Sequence, residues 1–300
     1  MIGAGQIAQR VYLPALAKRD DVQFGVLVEP RREVREHVNG AYRFARAVES
    51  VDEIAEGEAD AAFLLTGHDD RRGPLTRLLA LGLDVLSEKP MAADLTEAEE
   101  FTRLAESHGR ILMIGFNRRF MPAYVRAHEF VAGRPIRTAR VWKHGGNVWG
   151  HSIHVIDVLR WFCGEPADVR AQADFDETGH EIAVAALVRF DSGTSGVFET
   201  SRHYGMRKDE LEAHGENWTV RVYSPDTVIM YENGREETFR HGKDVWYVDA
   251  ERHWGFAQEI DHFLQAVRQR VTPTSSAADA LESHRLAARI IDEARRASHG

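Results

Sequence analysis

The chain has little of what stabilises or targets a small exported protein. Cys163 is its only cysteine, so no internal disulfide can form. Its setting, Trp161-Phe162-Cys163-Gly164, marks a small buried apolar residue rather than a nucleophile. No apolar run is long enough to span a bilayer, and no charged segment followed by a hydrophobic one opens the chain, so no membrane partner and a cytoplasmic location are expected. Positive charge is also in deficit: 38 Lys and Arg stand against 47 Asp and Glu, a net charge of −9, with the signs interspersed. Without a basic face, nucleic-acid binding is excluded. Internal repeats, low-complexity segments and disordered linkers are missing too. What remains, 300 residues with 43% hydrophobic and 28% charged, is enough for two ordinary domains.

The chain opens with Gly3-Ala4-Gly5-Gln6-Ile7-Ala8, a dinucleotide-binding fingerprint of G-x-G-x-x-A form. Gly3 and Gly5 permit a tight turn and close backbone approach to a pyrophosphate, Gln6 and Ile7 begin the helix whose N-terminus faces it, and Ala8 lets that helix pack on a sheet. A helical stripe runs from Gln6 to Arg19, with Pro14 as an interruption. Short apolar runs at Val22 to Val28, Ala61 to Leu65, Asp84 to Ser87 and Ile111 to Gly115 read as buried parallel strands. Arg31 to Ala47, Pro74 to Leu81 and Leu95 to His108 read as helices between them, the last opened by Asp94 or Thr96. Alternating strands and helices predict a doubly wound Rossmann sheet over residues 1–116. Only Met1 and Ile2 precede Gly3, so the first strand is truncated; a start further upstream is the expectation, because a missing central strand would expose backbone on both neighbours.

Glu29 ends the second strand, where a carboxylate accepts bonds from the adenosine ribose and repels a 2′-phosphate. This favours NAD(H) over NADP(H), although Arg31 and Arg32 could hold that phosphate. From Arg134 the texture changes. Strand-like runs at Ile136 to Trp142, Ile182 to Phe190, Ser195 to Ser201, Trp218 to Tyr223, Val228 to Tyr231 and Glu236 to Phe239 are joined by turns such as Asp191-Ser192-Gly193 and Asn233-Gly234. They predict an α+β domain with a large open, mainly antiparallel sheet over residues 117–300. Helices at Gly255 to Val271 and 276–297 close it, the last able to pack back on the Rossmann domain.

Two further segments carry chemistry. Ser87-Glu88-Lys89-Pro90 places an ammonium group where an apolar strand meets a proline-fixed turn, and His151-Ser152-Ile153-His154-Val155-Ile156-Asp157 lies downstream. In this order and at these separations the segments resemble the glucose-fructose oxidoreductase/inositol dehydrogenase (Gfo/Idh/MocA) family, and Gly115-Phe116-Asn117-Arg118-Arg119-Phe120 is similar to its MviM-like members. The resemblance implies an oxidoreductase that moves hydride between NAD(P) and a secondary alcohol or ketone of a sugar, cyclitol or related polyol, assembled as a homodimer or homotetramer.

It further implies that Lys89 lies beside the nicotinamide and the reacting hydroxyl, with Glu88 as its structural partner, and that Thr66, Gly67 and His68 line the ribose and nicotinamide. His154 matches the family's acid/base histidine. The family usually has an aspartate four residues earlier; here that position is Gly150. Asp157 could orient the His154 imidazole. Asn117 and Arg118, at the carboxyl end of the last Rossmann strand, and His151 and Trp149 are candidate substrate contacts, while Arg119 and Phe120 are expected to tie the domains together. Against these readings, Trp149, Trp246 and Trp254 also fit a core or interface role. A metal site built on His144, His151, His154 and Asp157 is disfavoured, because no cysteine cluster or H-E-x-x-H motif accompanies it. The departure at Gly150 leaves two competing classes open: a catalytically reduced relative that binds a nucleotide or sugar as a sensor or auxiliary subunit, and a sugar lyase or hydrolase that uses NAD transiently.

Overall fold

The structure is a computed structural model that describes all residues except 207–208, 242–249 and 299–300, so Trp246 lies outside the described residues. Contacts divide the chain into two compact units. The first runs from Met1 to Phe116 and also takes Ala250–Arg252 and Phe256–Leu281, although the sequence pattern assigns those later stretches to the second domain.

In the first unit the strands β1 (Val26–Val28), β2 (Arg46–Val48), β3 (Ala61–Leu64), β4 (Asp84–Glu88) and β5 (Leu112–Gly115) are all parallel, β1 pairing β2 and β3-β4-β5 following in order. Ile2 joins the two groups by parallel bridges to Val28 and Leu64. Its amide donates to the Phe63 carbonyl at 2.8 Å, its own carbonyl accepts from Leu65, and the Gly3 amide donates to Val28. Ile2 thus pairs with the neighbouring strand on each side. Beside Ile2, between the leading ends of β1 and β3, lies a cavity of about 530 Å³ lined by Phe24, Val26, Phe44, Ala61, Phe63 and Leu264 among others.

The helical run after the glycine loop is not uniform. A π turn, Ala8–Tyr12, precedes α1 (Leu13–Ala17), and Pro14 lies at the start of α1. Proline has no N–H to give the preceding turn, so the ladder is interrupted where it enters. Helix α2 (Arg32–Tyr42) stops earlier than its pattern suggests: Arg43 turns left-handed at φ 54°, and Arg46–Val48 is β2 rather than helix. Helix α3 (Arg72–Ala80) follows β3, and α4 (Leu95–Ser107) is opened by Asp94, whose side chain accepts the Glu97 amide at 2.8 Å.

The second unit is built on eight strands: β6 (Thr138–His144), β7 (Pro166–Phe175), β8 (Glu181–Phe190), β9 (Ser195–Ser201), β10 (Asp209–Gly215), β11 (Trp218–Tyr223), β12 (Thr227–Glu232) and β13 (Arg235–Arg240). Their spatial order is β13-β12-β11-β10-β6-β9-β8-β7, antiparallel except for the central parallel pair β6 and β9. Alternation decides the faces. Val184, Ala186 and Val188 of β8 are buried while Ala185, Leu187 and Arg189 face out, as a period of two requires. Helix α5 (Pro122–Val131) packs on β11 and β12, and α6 (Ile153–Cys163) on β6, β9 and β10. The opposite face is open and carries Leu187, 62% exposed, and Tyr223. Three helices close the chain: α7 (Ala250–His253), α8 (Phe256–Gln269) and α9 (Ala277–Ser298). Within the first unit, Phe256 and Phe263 of α8 join Tyr12 and Phe63 in an aromatic cluster with ring centroids 5.5 to 6.0 Å apart.

Candidate active site

Parallel strands direct their carboxyl ends to one edge of a sheet, and ligands of open α/β sheets bind there. The predicted residues of the first unit follow the carboxyl ends of β1, β3 and β4, and specific contacts tie them into one rim. Gly3 sits at φ 84°, and a Cβ there would stand 3.2 Å from Leu65 and Thr66 backbone atoms; glycine is required by the backbone's close passage over the end of β3. Gly5 has nothing within 4 Å of where its Cβ would be, so the loop presents bare backbone. The Ala4 amide donates to Glu29 Oε2 at 2.9 Å, fixing the loop to the end of β1. Glu29 is buried. Burial raises its carboxyl pKa, but hydrogen bonds from Arg31 and from the Ala4 amide outweigh this, and the net direction is down.

At the end of β3, Thr66 Oγ1 is buried with no hydrogen-bond partner. Gly67 leads into a 3-10 turn, His68–Asp70, in which His68 is partly exposed beside Asp69. At the end of β4, Glu88 Oε1 accepts from the Tyr12 hydroxyl at 2.9 Å and Oε2 accepts the Lys89 amide at 3.1 Å. Tyr12 also reaches Glu259 Oε2 at 3.1 Å; burial, the first cause, and the two carboxylates hold its phenol well above its ordinary pKa. Lys89 itself is half-buried. Its position is set by a residue the sequence pattern does not single out: the buried Arg71 donates to the carbonyls of Glu88 and Pro90, on either side of Lys89, and to the Thr66 carbonyl at 2.9 Å. One guanidinium thereby ties β3 to the lysine turn.

In the second unit, α6 holds His154, which is buried, with His151 exposed in the π turn Val148–Ser152 that precedes the helix. Asn147 caps that turn, its Oδ1 accepting the Gly150 amide at 2.9 Å. Trp149 lies edge-on to the His284 ring at 5.1 Å. Asp157 points elsewhere than the sequence pattern suggests. Its oxygens accept from Arg119 Nε and Nη2 at 2.8 and 2.6 Å and from Ser283 at 2.8 Å, so it anchors α6 to the turn Asn117–Phe120 rather than orienting imidazole. Arg119 accordingly makes this bond inside the second unit.

Asn117 and Arg118 are also engaged. Asn117 donates to the Trp254 carbonyl at 2.8 Å, and Arg118 donates to Asn117 at 2.9 Å and to Asp209 at 2.5 Å. Lys143 and Tyr124 complete the bonds to Asp209 at 2.9 and 3.1 Å. Asp209 and Lys143 escape sequence reasoning because nothing local marks them; their partners lie 66 or more residues away. Burial pushes the Cys163 thiol up to about 12, which keeps it inert. Among the described residues no group of His, Cys, Asp or Glu is arranged to hold a metal ion, and no helix is long and apolar enough to cross a membrane.

A glycine loop pinned to a strand-ending carboxylate, beside an unpartnered buried hydroxyl, fits a dinucleotide. The family models agree: residues 1–116 match "Oxidoreductase family, NAD-binding Rossmann fold", and residues 108–221 match "GFO/IDH/MocA C-terminal domain". The chain belongs to the Gfo/Idh/MocA family. Among its relatives is the inositol 2-dehydrogenase of Rhizobium meliloti, 24% identical, the match covering 96% of this chain and 93% of the relative. A trans-1,2-dihydrobenzene-1,2-diol dehydrogenase of Mus musculus is also 24% identical, over 99% and 95% of the two chains. The crystal structure of an MviM dehydrogenase from Clostridium difficile superposes with a TM-score of 0.88 at 26% identity, covering 97% of each chain. The chain is therefore a member of an NAD-dependent oxidoreductase family, with the Rossmann sheet and the large mixed sheet expected of it.

Proposed function

We propose that this protein is a dehydrogenase that prefers NAD(H) and acts on a ring secondary alcohol or ketone of a cyclitol, sugar or related polyol. The observation that carries the reading is the continuous rim of the first unit, in which Gly3, Gly5, Glu29, Thr66 and Lys89 follow the ends of three parallel strands and are linked through Ala4, Arg71 and Glu88. Gly3 to Ile7 would hold the pyrophosphate, Glu29 the adenosine ribose, and Thr66, Gly67, His68 and Glu88 the second half of the cofactor. The nicotinamide, when bound, supplies a hydride acceptor or donor.

Lys89 takes or gives the hydroxyl proton and stabilises negative charge on the reacting oxygen, its backbone held by the bonds at Glu88 and Pro90. His154 serves as the second proton-handling group in the substrate domain, with Asn117, Arg118, His151 and Trp149 as the residues that shape substrate recognition. The named activities of the two curated relatives share one chemical element, adjacent hydroxyls on a six-membered carbon ring, and this directs the substrate search. A panel of inositols, aldoses and vicinal ring diols, assayed with NAD+ by NADH absorbance, tests the reading. Turnover of at least one member, abolished in Lys89→Met, supports it; tight NAD binding with no turnover across the panel overturns it in favour of a ligand-binding relative, a reading that Gly150 favours by supplying no carboxylate. The open face of the large sheet, with Leu187 exposed, is the surface proposed for a homodimer or homotetramer, and light scattering at micromolar concentration decides it.

A further inference from the structure

Behind the lysine turn, within the first unit, one hydroxyl meets two carboxyls. The Tyr12 hydroxyl stands 2.9 Å from Glu88 Oε1 and 3.1 Å from Glu259 Oε2, and all three residues are buried. A phenol carries a single proton, so it donates to one of these oxygens and must accept at the other. An ionised carboxylate has nothing to donate. Two charged carboxylates would leave bare lone pairs facing each other across the second contact, in a site where Tyr12 and Glu259 are 0% exposed. Both contacts become hydrogen bonds only when one carboxyl brings its own proton.

The surroundings decide which carboxyl that is. Glu88 Oε2 accepts the Lys89 amide at 3.1 Å, and the Arg71 guanidinium is bonded to the Glu88 carbonyl. Arg71 in turn feels Glu88, Tyr12 and Glu97, and burial lowers its pKa only to about 10, so it stays charged. Donor and cation both favour an ionised Glu88. Glu259 lies on α8 between Phe256 and Phe263, three residues before it and four after, and both rings belong to the aromatic cluster around Tyr12. Such a setting favours a neutral acid. The charges that act on the phenol are those of Glu259 and Glu88, and a Cβ on Gly115 would stand 3.3 Å from its oxygen, so the end of β5 closes in on it as well.

We propose that Glu259 is a neutral acid that donates to Tyr12, that Tyr12 donates to the Glu88 carboxylate, and that Tyr12 and Glu259 are thereby positioning residues for Lys89. The chain fixes one negative charge beside the lysine, where two would hold its proton more firmly. The benefit to Lys89 rests on the proposed dehydrogenase reading; the shared proton does not.

Infrared spectra of the full wild-type chain at neutral pH test the proton without cofactor or substrate. The carbonyl stretch of a protonated carboxyl should be present, should vanish in Glu259→Gln, and should rise in frequency in Tyr12→Phe, which removes the acceptor. Absence of the band in the wild type, or a band that neither variant alters, overturns the proposal. An NMR titration of isotope-labelled lysine, with the Lys89 signal identified by its loss in Lys89→Met, reads the charge beside the ammonium. Glu88→Gln removes a carboxylate and should lower the Lys89 midpoint by about one pH unit or more, whereas Glu259→Gln keeps a neutral group and should leave it nearly in place. A comparable drop in Glu259→Gln, or none in Glu88→Gln, overturns the proposal. A band present in a chain that turns over nothing supports the shared proton and overturns the functional reading alone; a missing band in an active enzyme does the reverse.

Discussion

Among the carboxylates that a single arginine grips through both oxygens, two pairs are built for different ends. Asp157 and Arg119 lie inside the second unit, 0% and 5% exposed, with Ser283 as a third partner. Glu29 is equally hidden, but its arginine lies 61% exposed on the rim of the first. Burial of both partners makes a pair hard to break, because whichever charge is left behind stays desolvated. Exposure of one partner makes it exchangeable: the freed guanidinium returns to water at little cost. The same Arg–carboxylate contact thus serves as buried scaffold inside the second unit and as a half-exposed pair at the end of β1.

The largest expected effect breaks this comparison directly. Asp157→Ala removes both carboxylate oxygens from the buried Arg119 guanidinium and should lower stability by about 3–5 kcal/mol, whereas Glu29→Gln, whose arginine can turn outward, should cost less than about 1 kcal/mol. Urea midpoints of the two variants measure the contrast. Equal losses would mean that the difference in exposure does not govern these pairs.

Next in size is Lys89. If its ammonium handles the proton and the developing charge, Lys89→Met should reduce kcat/KM by about a hundredfold or more, while NADH affinity changes by less than about twofold. An active variant would show that the bonds from Arg71 and Glu88 hold a turn of purely structural importance, and the assignment would then rest on dinucleotide binding.

A third test concerns pH. Asp209 is buried, which by itself raises its pKa, but Arg118 and Lys143 hold the carboxyl well below the ordinary range. A carboxyl depressed in the folded state contributes stability that is complete above its unfolded pKa, about 4, and that disappears as pH falls through the folded value. Acid unfolding should therefore begin below about pH 4, with a contribution on the order of 2 kcal/mol from this group. In Asp209→Asn the pH dependence over this interval should flatten while overall stability drops. A variant that keeps the parent's acid profile would assign the transition to other carboxyls.

What could be read in the sequence follows from how local each cause is. Ala61–Leu64, Asp84–Glu88 and Leu112–Gly115 are buried on both faces, so they show as apolar runs, and the Gly3–Ala8 loop and Lys89 turn lie within single short motifs. Strands β7 and β10 are invisible by the same logic. Arg170, Gln172 and Asp174 break any apolar run in β7, and β10 turns Asp209 inward, a choice that makes sense only once Arg118 and Lys143 arrive from elsewhere in the chain. Helix α2 is over-long in the sequence pattern because Gly40 lies inside its last turn and the left-handed position after it is taken by Arg43 rather than by a glycine. At the site, Arg71 and the Tyr12–Glu259 contact remained hidden, since each acts on carbonyls or carboxylates remote in sequence.

The smallest expected effect lies one turn before His154. A family-like carboxylate at position 150 should raise activity if sequence pattern alone decides. The geometry argues otherwise: a Cβ on Gly150 would stand 2.8 Å from Asn147 Oδ1, the same atom that accepts the Gly150 amide. Any side chain there must push the Asn147 cap away from the turn that feeds α6. Losing such a cap costs about 1 kcal/mol. Gly150→Asp should accordingly be destabilised by about that amount and show no gain in turnover, and Asn147→Ala should lose a similar amount for the same reason. Because both variants remove one interaction, their costs should not add in the double variant, which should be only as unstable as either alone. Additive losses would mean that Gly150 and Asn147 support α6 independently, and a more active Gly150→Asp would show that Asn147 yields cheaply enough for a carboxylate to work beside His154.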